Sequence, residues 1–227
     1  MRKIEKYSYE TAREYALRAI TENIISLDLE PGTAISENEI ATFMGVSRTP
    51  VREAIQELHK AAVIEIYPQR GSFVSMIDSN YIDEAVFLRR VLDIAVIEEA
   101  CDIATEDDIK GLEENVALQD FYLQNNATDK IYELDNEFHE KIYIAAKKET
   151  IYAMKRSIMI HFDRVRNMSM QTVKDTKIVN DHKLMVAAIK ERDKSQAREL
   201  VEKHLNRYRV DHEALIKAYP HYFKENN

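Results

Sequence analysis

Residues 45–55 read GVSRTPVREAI. A glycine and a serine lead into Val51, Ala54, Ile55 and Leu58, the apolar period of a helix entered from a tight turn. Ser47 stands at the N-cap, and Pro50 is accommodated in the first turn, whose amides have no intrahelical partner. The opposite face carries Arg48, Arg52 and Gln56 at intervals of four, a polar strip drifting by about 40° per step. Two arginines spaced in this way are either a solvated surface or a face that grips an anion.

The flanking residues favour the second reading. Upstream, Ser36-Glu37-Asn38-Glu39 has the pattern of a capping box and opens a short helix with Ile40, Phe43 and Met44 inward. Gly45 ends that helix. Before it, Ala12, Ala16, Ala19, Ile20, Ile24 and Leu27 predict a first helix over 9–27, stopped by Pro31-Gly32. Downstream, β-rich pieces over 63–67 and 72–77 flank Pro68-Gln69-Arg70-Gly71 and predict a hairpin. Helix, short glycine turn, helix and hairpin make a winged helix-turn-helix. Arginines on its second helix can read guanine or clamp phosphate in a major groove.

The chain has 227 residues and a formal net charge of −8. Residues 1–76 hold 9 Lys+Arg against 11 Asp+Glu, so a DNA contact must come from the placement of a few cations rather than bulk charge. Gly32, Gly45 and Gly71 all fall in this first part, and the rest is almost free of glycine. Beyond Asp78 the periodicity predicts helices over 79–103, 105–125, 128–147, 149–170, 174–191 and 194–217. Ser79, Thr105 and Thr128 are their candidate N-caps, and the tail from Pro220 is expected to fray. The expected fold is mainly α: a winged helix-turn-helix DNA-binding domain over 1–77, then an all-helical antiparallel bundle over 78–227. The single cysteine, Cys101, rules out an internal disulfide and fits a reducing compartment. The first residues, MRKIEKYSYE, contain no apolar signal core, and no apolar run approaches the roughly 18 residues of a membrane span. A cytoplasmic protein with no membrane partner is expected.

Polar residues on the inner faces of the second half carry its chemistry. Asp135 and His139 edge the stripe Ile131, Leu134, Phe138 and Ile142. His182 lies among Ile178, Val179, Met185, Val186 and Ile189, and His204 among Ala197, Leu200, Val201 and Leu205. Each such group needs a partner when buried, and a divalent cation would satisfy all four together. Imidazole with carboxylate suits zinc, nickel, iron, copper or manganese. Hydrogen-bonded core histidines are the plainer alternative. Arg89, between Ala85, Leu92 and Val96, faces inward too. It could fork onto a ligand carboxylate or pair internally with Asp93 or Asp135. Arg164 and Arg166 are further pocket candidates, whereas His59, His161, His212 and His221 read as non-ligands and Cys101 as a small buried residue.

The run PGTAISENEIATFMGVSRTPVREAIQELHKAAVIEIYPQRGSFV resembles the DNA-binding domain of the GntR family of bacterial transcription regulators, most specifically in GVSRTPVREAIQEL. The resemblance implies that Arg48 and Arg52 contact operator DNA, that Ser47 and Thr49 bond phosphates, and that Arg70-Gly71 is a wing tip near the minor groove. Gln56 shares the same face. Ala61-Ala62-Val63-Ile64 departs from a family pattern with glycine at the helix exit, where alanine costs more in a left-handed cap. Asn38 departs from a DNA-contacting arginine found in some members. The segments LDNEFH (134–139), DHKLMVAAI (181–189) and DKSQARELVEKHL (193–205) resemble the C-terminal FCD ligand-binding domain of the FadR-type branch, in the shorter VanR-like form with six helices. That resemblance implies a divalent metal on Asp135, His139, His182 and His204. It also implies a carboxylate effector completing the coordination near Arg89, and a homodimer.

The function expected is a transcription regulator, repression being the more frequent sense in the family, with operator affinity controlled by a small carboxylate at the metal. Two alternatives come from other classes: a metal-dependent enzyme with an appended DNA-binding domain, and a DNA-binding scaffold without ligand. Against the enzyme, the sequence shows no separate inward general base, nucleophile elbow or phosphate loop.

Overall fold

The computed structural model describes residues 1–125, 127–173 and 177–224, with the side chains at 128–129, 171–173 and 208–211 outside that description. These residues form two compact units. One comprises Met1–Ile82, Ser157–Val165 and Ile216–Asn227, the other Asp83–Arg156 and Arg166–Leu215. The first unit therefore draws on two segments beyond residue 77.

The first unit opens with helix α1 (Ala12–Ile25). It starts three residues later than the periodicity suggests because Thr11 and Glu14 form a reciprocal capping box there. Strand β1 (Ala34–Ile35) and helix α2 (Glu37–Met44) follow. Ser36 Oγ accepts from the Glu39 amide, and Gly45 closes α2 at φ 68°. Of the three residues expected inward on α2, Ile40 and Met44 are buried but Phe43 is 44 % exposed, its inward place being taken by Ala41. Helix α3 spans Arg48–Lys60 and buries Val51, Ala54, Ile55 and Leu58, the predicted face.

Strands β2 (Ile64–Tyr67) and β3 (Gly71–Val74) make the hairpin, paired antiparallel from Ile64↔Val74 to Tyr67↔Gly71. At its turn the Arg70 amide donates to Tyr67 O, with Pro68 second and Gln69 third at φ 63°, as in a type II turn. The strand β1 was not legible in sequence, being two residues long; it pairs with β3 and sets the sheet order β1-β3-β2. Tyr15, Ile20 and Ile24 of α1 pack with Ile55 and Leu58 of α3, Val63, Ile64 and Val74, and with Ile160 from residues 157–165. The same segment brings His161 Nε2 to Ala61 O at 2.9 Å and Arg164 to Ser75. The tail does not fray at Pro220. Residues Pro220–Tyr222 form a 3-10 turn, and Ile77 exchanges backbone bonds with Tyr222 O and the Lys224 amide, each at 2.8 Å.

The second unit is built from helices. Helix α4 (Ser79–Ile103) begins in the first unit, where Asp78 rather than Ser79 takes the N-cap role by accepting from the Asn80 amide. Helices α5 (Glu106–Gln124), α6 (Thr128–Ala145), α7 (Glu149–Val173), α8 (Lys177–Lys190) and α9 (Lys194–Ala218) complete the set. Thr105 caps α5 through a capping box with Asp108, as expected. For α6 the cap position falls on Ala127, and the Thr128 side chain lies outside the described residues. The core of this unit joins Ile97 and Cys101 of α4, Leu112 and Val116 of α5, Phe138 and Ile142 of α6, Met185 and Ile189 of α8, and Val201 and Leu205 of α9. No helix among the described residues is long and apolar enough to cross a membrane.

Candidate metal centre and nucleic-acid interface

In the second unit, α6 places Asp135 and His139 one turn apart on its inner edge, α8 supplies His182 and α9 supplies His204. One ligand atom from each of the four lies within 4.8 Å of every other. Asp135 and His182 are 1 % and 0 % exposed. His182 Nε2 is 3.6 Å from Asp135 Oδ1, and the imidazole centroids are separated by 5.4 Å (139–182), 5.3 Å (139–204) and 5.0 Å (182–204).

The protonation of these groups suits a cation. Burial, aided by the nearby Arg89, holds His139 well below its usual pKa. Burial and the neighbouring His182 do the same to His204. Burial pushes His182 down to about 4, against the pull of Asp135. Burial alone would raise Asp135, but Arg166, His182 and His204 outweigh it and lower the carboxyl. Near neutral pH the cluster is thus one carboxylate and three neutral imidazoles, the state in which these groups bind metal. His182 Nε2 and His204 Nδ1 are buried without a hydrogen-bond partner, a costly arrangement that an ion would relieve. The residues present therefore fit a divalent cation.

Surrounding groups orient the cluster. His182 Nδ1 lies 2.8 Å from Gln119 Oε1, an acceptor, so the proton sits on Nδ1 and the Nε2 lone pair points to Asp135. Gln119 is fully buried and is held in turn by Asn115, at 2.7 Å. Arg166 Nη1 stands 3.0 Å from Asp135 Oδ2. Arg89 donates from Nη2 to His139 Nε2 at 2.8 Å and from Nε to Asp93 at 2.8 Å. Asp93 also accepts from Tyr143, at 2.7 Å, and from Lys155, at 2.9 Å. Burial would raise Asp93, yet Arg89 and Lys155 hold it down to about 2. A small cavity opens beside the imidazoles, lined by His139, His204, Asp93 and Tyr143 on its polar side and by Ile97, Ile142, Met185 and Val201 on its apolar side.

Of the two arginines assigned to the effector, Arg89 is beside the cluster and makes the internal pair with Asp93 that was its alternative. Arg164 requires correction. It lies in the first unit, fully buried, and donates to Ser75 O at 2.7 Å and Ser75 Oγ at 3.3 Å. Two residues on, 200° around the helix at about 100° per residue, Arg166 takes the position facing Asp135. Gln119, Asn115, Tyr143 and Lys155 escaped the sequence reading. For the two amides a signal existed: Asn115 and Gln119 interrupt the buried line Ile109, Leu112 and Val116 at a spacing of four.

In the first unit, Arg48, Arg52 and Gln56 share the exposed face of α3, and Ser47 and Thr49 are exposed at its start. Ser47 occupies the N-cap without a side-chain bond, so its hydroxyl is uncommitted to the cap. Arg70 and Gly71 lie at the hairpin tip, with the Arg70 guanidinium 5.3 Å from the Tyr67 ring centre. Glu37, at the first position of α2, was not singled out from sequence. It accepts from Arg48 Nε at 2.8 Å and from Arg52 Nε at 3.2 Å.

Comparison with known proteins matches the first of these features to the family model described as bacterial regulatory proteins, gntR family, over residues 13–74. The FCD domain model matches residues 84–207, more than half of the chain. The chain belongs to the GntR family, with an FCD domain. Its relatives include the HTH-type transcriptional repressor RspR of Escherichia coli K12, 30 % identical over 189 residues that cover 83 % of each chain. The gluconate operon transcriptional repressor of Bacillus subtilis is 29 % identical over 179 residues, covering 76 % of this chain and 73 % of that one. Among solved structures, E. coli McbR/YncC shares the fold with a TM-score of 0.80 at 17 % identity, over 90 % of this chain and 99 % of that one. This GntR-family chain is a transcription regulator: a winged helix-turn-helix precedes a helical FCD domain whose inner faces assemble an Asp/His3 cluster.

Proposed function

We propose that this regulator is a metal-dependent, effector-released repressor. In a homodimer, the α3 helices of two copies would read an inverted repeat, since paired recognition helices require half-sites a helical turn or its multiple apart. Arg48 and Arg52 serve as base or phosphate contacts, Ser47 and Thr49 as phosphate contacts, Gln56 as a further polar contact, and Arg70-Gly71 as the wing tip. The domain over 1–77 binds DNA, and that over 78–227 binds the metal and effector and dimerises.

Asp135, His139, His182 and His204 would hold the divalent ion, which supplies a Lewis-acidic site for a carboxylate oxygen. Gln119 fixes the His182 tautomer and Arg166 neutralises the Asp135 oxygen left over. Arg89 must yield the His139 Nε2 lone pair for the cluster to hold the ion. Its fork then becomes available to the effector's second oxygen, with Asp93 keeping it near. The cavity between the imidazoles and Met185 and Val201 is water-sized, so the rest of a short acid would enter as its apolar lining and the Arg89 side chain move aside. Effector control of the operator requires that the acid bind one conformation of the protein better than the other.

The observation that carries this reading is the convergence of the four ligand atoms within 4.8 Å, with His182 Nε2 and His204 Nδ1 lacking a hydrogen-bond partner. The test is metal analysis of the purified protein, followed by titration of the protein–operator complex with short carboxylates. Gluconate heads the panel because of the gluconate repressor among the relatives. About one metal per chain and a roughly 5–150-fold loss of operator affinity with one acid are expected. A metal content unchanged in His204→Ala, or an operator affinity indifferent to the acid that the protein binds, would overturn it.

A further inference from the structure

The geometry points to Glu37 as a specificity-determining residue for DNA, one that braces the two recognition arginines and keeps them from settling on phosphate alone. The inference rests on the DNA-binding reading above.

Arg48 and Arg52 are one helical turn apart, and like charges at that spacing repel. Glu37 stands between them across the helix-turn-helix corner. Its Oε2 accepts from Arg48 Nε at 2.8 Å, and both of its oxygens accept from Arg52 Nε at 3.2 Å. Arg52 Nη2 lies 3.1 Å from Oε2 as well. The Glu37 side chain is 23 % exposed against 54 % for each arginine, so the carboxylate sits behind the guanidiniums as seen from solvent. As the first residue of α2 it is also anchored electrostatically, because the first-turn amides favour an anion there.

The two arginines are engaged differently. Arg48 gives Glu37 its Nε, which leaves the Nη1/Nη2 fork uncommitted to Glu37 on a side chain that is 54 % exposed. Arg52 gives the Nε/Nη2 edge, which leaves Nη1. A free terminal fork is what reads guanine O6 and N7 bidentately, whereas a single donor suits one acceptor. Glu37 thereby assigns Arg48 the bidentate part and Arg52 the lesser one. Holding each guanidinium at one edge also removes rotamer freedom that an arginine would otherwise lose on binding.

The same carboxylate opposes indiscriminate binding. Contacts to phosphate carry affinity without sequence information, and a negative charge lodged among the contact residues offsets part of that attraction. A correct base edge can compensate through the oriented fork; a phosphate row cannot. Glu37 therefore raises the ratio of specific to non-specific affinity from both sides.

The test uses the full chain as wild type, Glu37→Gln and Glu37→Asp. A randomised duplex pool first yields the wild-type preferred sequence. Binding to that duplex and to a scrambled duplex of the same composition is then followed between roughly 50 and 200 mM salt. Glu37→Gln is expected to bind the scrambled duplex more tightly, with a salt slope steeper by up to about 0.9, and to lower the specificity ratio about tenfold. Glu37→Asp keeps the charge but is too short to bridge both arginines. It should retain the wild-type salt slope and still lose specificity. An unchanged specificity ratio in Glu37→Gln overturns the inference while leaving the DNA-binding reading in place. So does an equal weakening on both duplexes with a lowered melting temperature, the mark of a merely structural residue. A wild type that enriches no duplex overturns the DNA-binding reading itself, and the inference with it.

Discussion

His161 donates from Nε2 to Ala61 O and keeps its Nδ1 buried without a partner. Protonation would place a hydrogen on that nitrogen with nothing to accept it. Burial accordingly lowers the imidazole pKa, with Arg164 adding to the effect and Asp78 and the Ala61 carbonyl opposing it. The unfolded chain therefore takes up this proton at a higher pH than the folded one. The stability due to neutral His161 is complete above about pH 6.5 and is lost as the pH falls below it. Melting of the wild type from about pH 7.5 to about 5.5 should show a decline that is shallower in His161→Gln; parallel curves would refute the account. In the other unit, Asp93→Asn removes the charge that Arg89 and Lys155 share, and should cost about 3–5 kcal/mol in urea unfolding, the usual penalty for orphaning a buried charge. On the α3 face, Arg52→Ala should weaken operator binding by about 1–3 kcal/mol with the fold intact; unchanged affinity would remove it from the contact set. At this scale the sequence was informative where a side chain interrupts an apolar period, as Asp135, His139, His182, His204 and Arg89 do. It misled at Arg164, because Arg164 and Arg166 lie on nearly opposite faces of α7 and both are covered, Arg164 by Ser75 in one unit and Arg166 by Asp135 in the other, so only tertiary packing decides which face meets the cluster.

Three helices end in the same way for want of glycine. After α3, the Val63 amide donates to Leu58 O and the Ala62 amide to His59 O; after α6 and α8, Lys148 and Lys147, then Asp193 and Arg192, repeat the pattern. These are Schellman motifs, with Ala62, Lys147 and Arg192 in the left-handed region at φ 57°, 57° and 59°. A residue with a Cβ is strained there by about 1–2 kcal/mol, while glycine costs about 0.5–1 kcal/mol more in chain entropy. Ala62→Gly and Lys147→Gly should each stabilise the protein, by about 0.5–1 kcal/mol in urea unfolding. Arg192→Gly should not, because the Arg192 guanidinium donates to Cys101 O at 2.9 Å and Ala104 O at 2.7 Å, closing the last turn of α4. A gain in Arg192→Gly equal to that in Ala62→Gly would refute the distinction. The departure at Ala61-Ala62 noted in the sequence thus has a defined local consequence: the exit from α3 keeps its geometry and carries the strain. The spans of the long helices were legible because their apolar periods resume in phase after each inward polar residue and no proline breaks them. The strand β1 was not, since two residues carry no period.

At the scale of the molecule, a ligand that binds only the folded state stabilises it by mass action. An ion at about a hundred times its dissociation constant contributes about 2.7 kcal/mol, which for a chain of this size raises the melting temperature by about 5–10 °C. Removing metal with a chelator should lower the melting transition of the helical unit by that amount in the wild type and leave His204→Ala unmoved. An equal response in both would argue that the four side chains hold no ion.

The composition shift near residue 78 marks a change of architecture, but the first unit gathers Ser157–Val165 and Ile216–Asn227 from far along the chain. Ile160 fills its apolar interior, Arg164 secures Ser75, and the backbone at Ile77 bonds to Tyr222 and Lys224. A fragment cut after residue 77 would bare the surface that Ile160 seals and leave Ser75 without its guanidinium. Anyone grafting this reading head onto a foreign sensor would need to carry along a stretch of α7 and the terminal turn, or supply substitutes. The head is a module in shape but not in sequence.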